Sequence, residues 1–211
     1  MAVRIGCVVE GHGECESVPI LVRRIAGQFD PGLAVQIPHP VRVTKSKLLK
    51  AGELERAVEL AAISVGGNGG ILVILDSDDD CPAELAPELL ARTQSARSDL
   101  PSAVVLPSKE FESWFLAAAQ SLRGHGRFPE DLESPAHPEA IRGAKEWLNK
   151  RVRDGAYSAN VDQASLTGVF SFDLARRAPS FDKCYREVIR LLETLRARAD
   201  QLGTDWRHGL S

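Results

Sequence analysis

Acidic side chains fall at three places where a short apolar run gives out: Glu10 and Glu14 in VEGHGE, Asp76 and Asp78 in LDSDDD, and Glu110 and Glu112 in KEFESWF. Carboxylates are hard oxygen donors, so a group of them suits Mg²⁺ or Mn²⁺. Adjacent strands lie about 4.8 Å apart, so carboxylates at neighbouring strand ends can reach one ion. Asp76 and Asp78, two apart on an extended chain, can point to the same side. A single carboxylate past a strand more often caps a helix. Glu14 is placed to cap one beginning near Ser17, and Asp79 and Asp80 one beginning after Pro82. Glu10, Asp76 and Asp78 therefore rank first as metal-site residues, and Glu14 follows. In a helix over 110–122, Glu110 and Glu112 lie about 200° apart, so only one faces the site. Glu110, nearer the strand end, is chosen. Lys109 beside it is placed to stabilise the charge that builds up in phosphoryl transfer.

These residues need strand ends to position them, and the apolar pattern supplies them. Val3 to Val9 and Ile71 to Leu75 read as buried strands ending at Glu10 and Asp76, and Ala103 to Leu106 as a further short strand. Helical spacing runs from Val18 to Phe29, from Leu54 to Ile63, and from Pro82 toward Ser98, with an extended stretch between Leu33 and Val43. The glycine-dense segment 66–70 reads as a turn. Alternating strands and helices imply a mostly parallel α/β sheet covered on both faces, whose ligands gather at the strands' carboxyl ends. After residue 122 a Gly, Pro and His-rich loop leads to helices near 139–153, 163–176 and 181–200. The expected division is an α/β domain over 1–122 and a helical extension, 123–211, packed on it.

With 211 residues, 44% hydrophobic and 26% charged, the chain can bury one substantial core, which excludes disorder as its main state. The formal net charge of −3 excludes a uniformly basic nucleic-acid binder. The balance is uneven: residues 150–211 hold eleven Lys/Arg against eight Asp/Glu. No apolar run could span a bilayer and no signal-peptide pattern precedes Glu10, so a cytoplasmic protein is expected. Cys7, Cys15, Cys81 and Cys184 are widely spaced, as expected of reduced thiols. Arg42, Lys45 and Lys47 form a basic stretch able to contact nucleic-acid phosphates. A second basic run lies between Arg142 and Arg153. His12 reads as a loop histidine, with general base or metal ligand as the alternative. The stripe Tyr185, Val188, Leu192 and Leu195 suits packing within the chain or against a second copy in a homodimer.

VEGHGE after the first strand, followed by LDSDDD after a later one, resembles the TOPRIM arrangement of topoisomerases, primases and OLD-type nucleases, with its glutamate and D-x-D. SKEFESWF and YSANVDQASLTGVFSFDLARRAPSF resemble a bacterial TOPRIM-like family of unknown function, often encoded beside an ATPase. The resemblance covers most of residues 3–190. It implies a TOPRIM-like (Rossmann-like) domain in which Glu10, Asp76 and Asp78 hold Mg²⁺ or Mn²⁺, with Glu14 and Glu110 secondary. The implied activity is cleavage of DNA or RNA phosphodiesters, with a separate ATPase as partner in phage defence.

Other readings of D-x-D compete. An EF-hand loop from Asp76 would need Gly and Glu where the chain has Cys81 and Pro87. A haloacid-dehalogenase-type phosphatase would need a Thr at Asp80 and leaves VEGHGE unexplained. A GT-A glycosyltransferase, holding a metal and a nucleotide diphosphate, is the enzymatic alternative. A non-catalytic binding or regulatory subunit is the alternative from another class. The chain carries no Walker-type loop.

Overall fold

The computed structural model describes residues 2–67 and 69–208, with side chains as far as Gln201. The first strand, Ala2–Val9 (β1), places Val3, Ile5, Cys7 and Val9 in the core on one side of the sheet and Val8 in the core on the other. That alternation follows from the period of two along a strand. His12–Phe29 (α1), Ala34–Gln36 (β2), Val41–Arg42 (β3), Lys45–Leu48 (α2), Glu53–Val65 (α3), Gly70–Ile74 (β4), Pro82–Ala96 (α4) and Ser102–Val105 (β5) follow. The five strands form one sheet of order β2-β1-β4-β5, with β3 also paired to β1, and every pairing is parallel. β2 pairs with the start of β1 and β3 with its end, so two short strands share one edge. The protein is thus α/β, with a Rossmann-like parallel sheet flanked by helices and a C-terminal helix, as expected.

Parallel pairing has a direct consequence: the ends of β1, β3, β4 and β5 lie at one edge of the sheet. Helices α3 and α4 cover one face through Leu54, Val58, Ala61 and Leu89, which pack on Val8, Ile71, Val73 and Val104. α3 rests directly on β1, because a Cβ on Gly6 would stand 2.7 Å from the Ala61 carbonyl oxygen. Helix α1 covers the other face through Val18, Leu21, Val22 and Ile25.

Past β5 come Ser113–Ala117 (α5), 3₁₀ turns at Ala119–Leu122 and Pro138–Ala140, Ala144–Asn149 (α6), Ala159–Val169 (α7), Phe172–Ala175 (α8) and Pro179–His208 (α9). Phe111, Trp114 and Phe115 meet Phe170, Phe172 and Phe181 in a chain of ring contacts with centroids 4.6–5.7 Å apart. Such pairs contribute about 0.5–1.5 kcal/mol each beyond their burial. They join the segment after β5 to α8 and α9 within the core that covers α1's side of the sheet.

Several predicted elements differ. The helix expected over 110–122 starts only at Ser113, because residues 110–112 form turns closed by Ser113 N–H to Glu110 O and Trp114 N–H to Phe111 O. The helix expected over 163–176 breaks after Val169; Ser171 Oγ then accepts the Leu174 N–H to start α8. The helix near 139–153 contracts to α6. Lys45–Leu48 is helical where an extended stretch leads in. Segment 66–70 connects α3 to β4 as expected, with Asn68 outside the described residues. Cys7, Cys15, Cys81 and Cys184 are free thiols. Among the described residues, no helix is long and apolar enough to cross a membrane.

Candidate functional site

The loops after β4 and β5 are zipped together beyond the last strand residues. Ser77 N–H donates to Pro107 O (3.1 Å), Asp78 N–H to Lys109 O (3.0 Å), and Lys109 N–H to Ser77 Oγ (2.7 Å). Asp78 and Lys109 adopt φ values of 50° and 64°, left-handed conformations that are uncommon for residues other than glycine. Backbone strain of this kind is concentrated where surrounding structure holds it for function.

Asp76 stands at the head of this zipper, buried, with Oδ1 accepting the Phe111 N–H at 2.8 Å. That bond draws the 110–112 turn beneath the sheet edge, so both Glu110 and Glu112 face the same pocket. The helical phase expected here would have separated them. Glu112, passed over in favour of Glu110, is the more enclosed, with 0% exposure. Its Oε1 accepts from Tyr157 Oη at 3.0 Å and from Gln163 Nε2 at 3.4 Å, whereas its Oε2 is buried with no hydrogen-bond partner. Glu110 accepts the backbone N–H groups of Ala144 and Lys145, both at 3.2 Å.

Lys145, on α6, is the common neighbour of this group. Its Nζ lies 3.7 Å from Glu112, 3.9 Å from Asp76 and 4.0 Å from Glu110. These are ion pairs too long to be hydrogen bonds. Burial works against the ammonium, but Glu112, Asp76, Glu110 and Glu14 together outweigh it and raise the Lys145 pKa. Burial drives the Asp76 carboxyl well above its ordinary value, helped by the charges of Glu14 and Glu112. Glu112 is likewise raised by burial against the pull of Lys145. The Tyr157 phenol is pushed up by burial and by Glu112, which keeps it a donor.

The first motif contributes from β1. Glu14 is buried, and its Oε2 accepts the Glu10 and Gly11 N–H groups at 2.8 and 3.0 Å, so it caps the start of α1 from within the first turn. Burial lifts its pKa to about 7. Burial raises the Glu10 pKa, with the charge of Asp78 adding to it and those of Lys45 and Lys145 opposing it, and its Oε2 is buried without a hydrogen-bond partner. His12 is exposed at the start of α1.

Asp78 does not join Asp76. Its Oδ2 lies 2.9 Å from Lys45 Nζ, which also reaches Asp80 at 2.9 Å and donates to the Ser77 carbonyl at 2.5 Å. The D-x-D is thus split between two lysines. Lys45, expected to contact nucleic acid, is buried in this clamp. Arg42 and Lys47 are exposed, Lys47 near Glu53. Lys109 and Glu110, with Asp78, Asp79 and Arg142, line a cleft of about 190 Å³ beside the acidic pocket, and Arg142 pairs with Asp79.

Lys145 was visible only as one member of the second basic run, a candidate phosphate contact, and Tyr157 and Gln163 only within the segment that carries the resemblance. The visible hint was Glu112 itself, an acidic residue directly before a run of core aromatics.

The donor set suits a hard divalent cation, and the two orphaned oxygens, Glu10 Oε2 and Glu112 Oε2, want a positive partner. As the side chains lie, Lys145 supplies the positive charge, and no three His, Cys, Asp or Glu groups among the described residues stand close enough around one point to hold a metal. To hold an ion, the carboxylates would have to draw together as the Lys145 side chain, 44% exposed, gives way.

Comparison with protein-family models matches residues 9–188 to a domain of unknown function, DUF4276. No curated protein and no solved structure matches the chain.

Proposed function

The chain belongs to the DUF4276 family, a domain of unknown function, and we propose that the carboxyl edge of its sheet is a Mg²⁺- or Mn²⁺-dependent, TOPRIM-like phosphodiester-cleaving site acting on DNA or RNA. The observation that carries this reading is the enclosure of Asp76 and Glu112 about Lys145, within electrostatic reach of Glu10 and Glu14, with two buried carboxylate oxygens, Glu10 Oε2 and Glu112 Oε2, making no hydrogen bond. Burying unpaired acceptors costs about 1–3 kcal/mol each, a cost expected where function requires it. Asp76, Glu112 and Glu10 would hold the ion, with Glu14 and Glu110 bracing them. A bound divalent ion supplies Lewis-acid stabilisation of phosphate charge. Lys145, once displaced, remains beside the pocket to neutralise a phosphate oxygen. Lys109 and Arg142 are placed in the adjoining cleft to orient the backbone that carries it. Arg42 and Lys47 offer further exposed phosphate contacts.

A second reading, a regulatory module that works only when docked on a separate ATPase, is favoured by one feature. Lys145 already balances the acidic pocket, so a partner could control its release.

Calorimetry with MnCl₂ on wild type and Glu10→Gln tests the main reading, together with nicking of supercoiled plasmid and cleavage of labelled RNA. Binding should weaken in Glu10→Gln while the metal-free melting temperature stays nearly unchanged. Identical Mn²⁺ binding in both proteins would remove β1 from the site and the TOPRIM-like reading with it. A GT-A enzyme would instead bind Mn²⁺ more tightly with a nucleotide diphosphate-sugar and be indifferent to Glu10.

A further inference from the structure

Glu112 is held from behind by residues more than forty positions downstream. Tyr157 Oη and Gln163 Nε2 both donate to Oε1, leaving Oε2 facing Lys145. Each donor is anchored in turn, Gln163 through its side chain and Tyr157 through its backbone. Gln163 is buried, and Ser17 Oγ donates to its Oε1 at 3.1 Å, which fixes the amide with its NH₂ group toward Glu112. α7 is seated closely enough for this because position 13 on α1 is glycine: a Cβ there would lie 2.5 Å from both Ala159 O and Gln163 Oε1. Tyr157 N–H donates to Asn149 Oδ1 at 2.9 Å, which ties the tyrosine to the end of the helix that carries Lys145.

We propose that Tyr157 and Gln163 are positioning residues that clamp one oxygen of Glu112 and so aim the other, which faces Lys145 without a hydrogen bond, at a cation that takes the place of the ammonium. This rests on the reading of the pocket as a cation site, and it makes the segment after residue 150 part of that site. The chemistry is that of outer-shell hydrogen bonds, which fix the orientation of a ligating carboxylate and whose loss lowers metal affinity about 10–100-fold.

Calorimetry with MnCl₂ on the full chain provides the test, using wild type, Tyr157→Phe, Gln163→Met, Glu112→Gln and the double variant Glu112→Gln with Tyr157→Phe. Tyr157→Phe should weaken Mn²⁺ binding about tenfold with little change in the metal-free melting temperature, and Gln163→Met should weaken it in the same direction. In the Glu112→Gln background, Tyr157→Phe should cause no further loss, because the oxygen it aims no longer bears charge. A tyrosine that acts only through the fold would give the same loss in both backgrounds. That result, or unchanged binding in Tyr157→Phe, overturns the positioning role while leaving the cation site standing. A wild-type chain that takes up no Mn²⁺ removes the cation site and the positioning role together.

Discussion

Lys45 and Lys145 both bring an ammonium to the carboxyl edge of the sheet, in unlike company. Lys45 is buried at 2.9 Å from both Asp78 and Asp80, whose side chains are 60% and 52% exposed, and the Ser77 carbonyl completes its bonding. Lys145 is partly exposed at 3.7–4.0 Å from three carboxylates that are themselves enclosed. The first is a closed clamp whose partners are satisfied by contact or by water. The second leaves charge and hydrogen-bonding capacity unspent in a low-dielectric setting, where an electrostatic interaction is strong and an unpaired group costly. The densest run of aspartates is therefore the quieter place chemically, and the sparser, buried one is where pKa values move.

The sharpest way to break this contrast is to remove one aspartate from each side. Asp76→Asn keeps an acceptor for the Phe111 N–H but loses the buried charge. Mn²⁺ affinity and any cleavage should fall by at least about a hundredfold, more than outer-shell losses. The metal-free chain should melt at or above the wild-type temperature. Asp78→Asn should leave Mn²⁺ affinity within about threefold, because the Asp78 carboxylate pairs with Lys45 outside the pocket. Equal losses in the two variants would merge the two clusters into one site.

The pH dependence of the metal-free fold separates the regions next. Asp76, Glu112, Glu10 and Glu14 all have folded pKa values raised above their unfolded values. The native state then binds more protons than the unfolded state, so the stability they contribute is fully present below about pH 4 and is lost as pH rises through the folded values, about 7 for Glu14. Denaturant melts should show stability falling from pH 5 to pH 8, by on the order of 3 kcal/mol if Glu14 alone sets the scale. A flat profile across this range would mean that the pocket is solvated.

The smallest effect compares the lysines. Lys145→Met should destabilise the metal-free chain by about 1–2 kcal/mol at pH 8, discounted for its exposure, and by less as pH falls and Asp76 and Glu112, whose folded pKa values are raised, take up protons. Lys45→Met leaves the Ser77 carbonyl unpaired and should cost about 1–3 kcal/mol, with less change over the same fall in pH than Lys145→Met because the lost bond to a carbonyl does not titrate. Equal pH dependence in the two variants would erase the distinction.

Much of this architecture was legible in local pattern. Val3 to Val9 and Ile71 to Leu75 are continuous apolar runs because both faces of a parallel strand are covered, and Glu10 and Asp76 mark where that cover ends. Trp114, Phe115 and Leu116 were readable as core and are fully buried. Pattern misled at Glu110 and Glu112, where helical phase was extended three residues too far back. Asp76 accepts the Phe111 N–H from another loop and holds the turn that a local rule cannot see.

The sequence by itself determined the strand ends, their parallel arrangement and the presence of carboxylates at one edge, because periodicity and a change from apolar to charged are properties of neighbouring residues. Only the tertiary structure decided that Asp78 belongs to Lys45 while Asp76 belongs to Lys145, and that Tyr157 and Gln163 stand behind Glu112. Those partners lie 33 to 69 positions apart or more than forty residues downstream. Their meeting is fixed by how loops and helices cross the sheet edge, which no local period encodes.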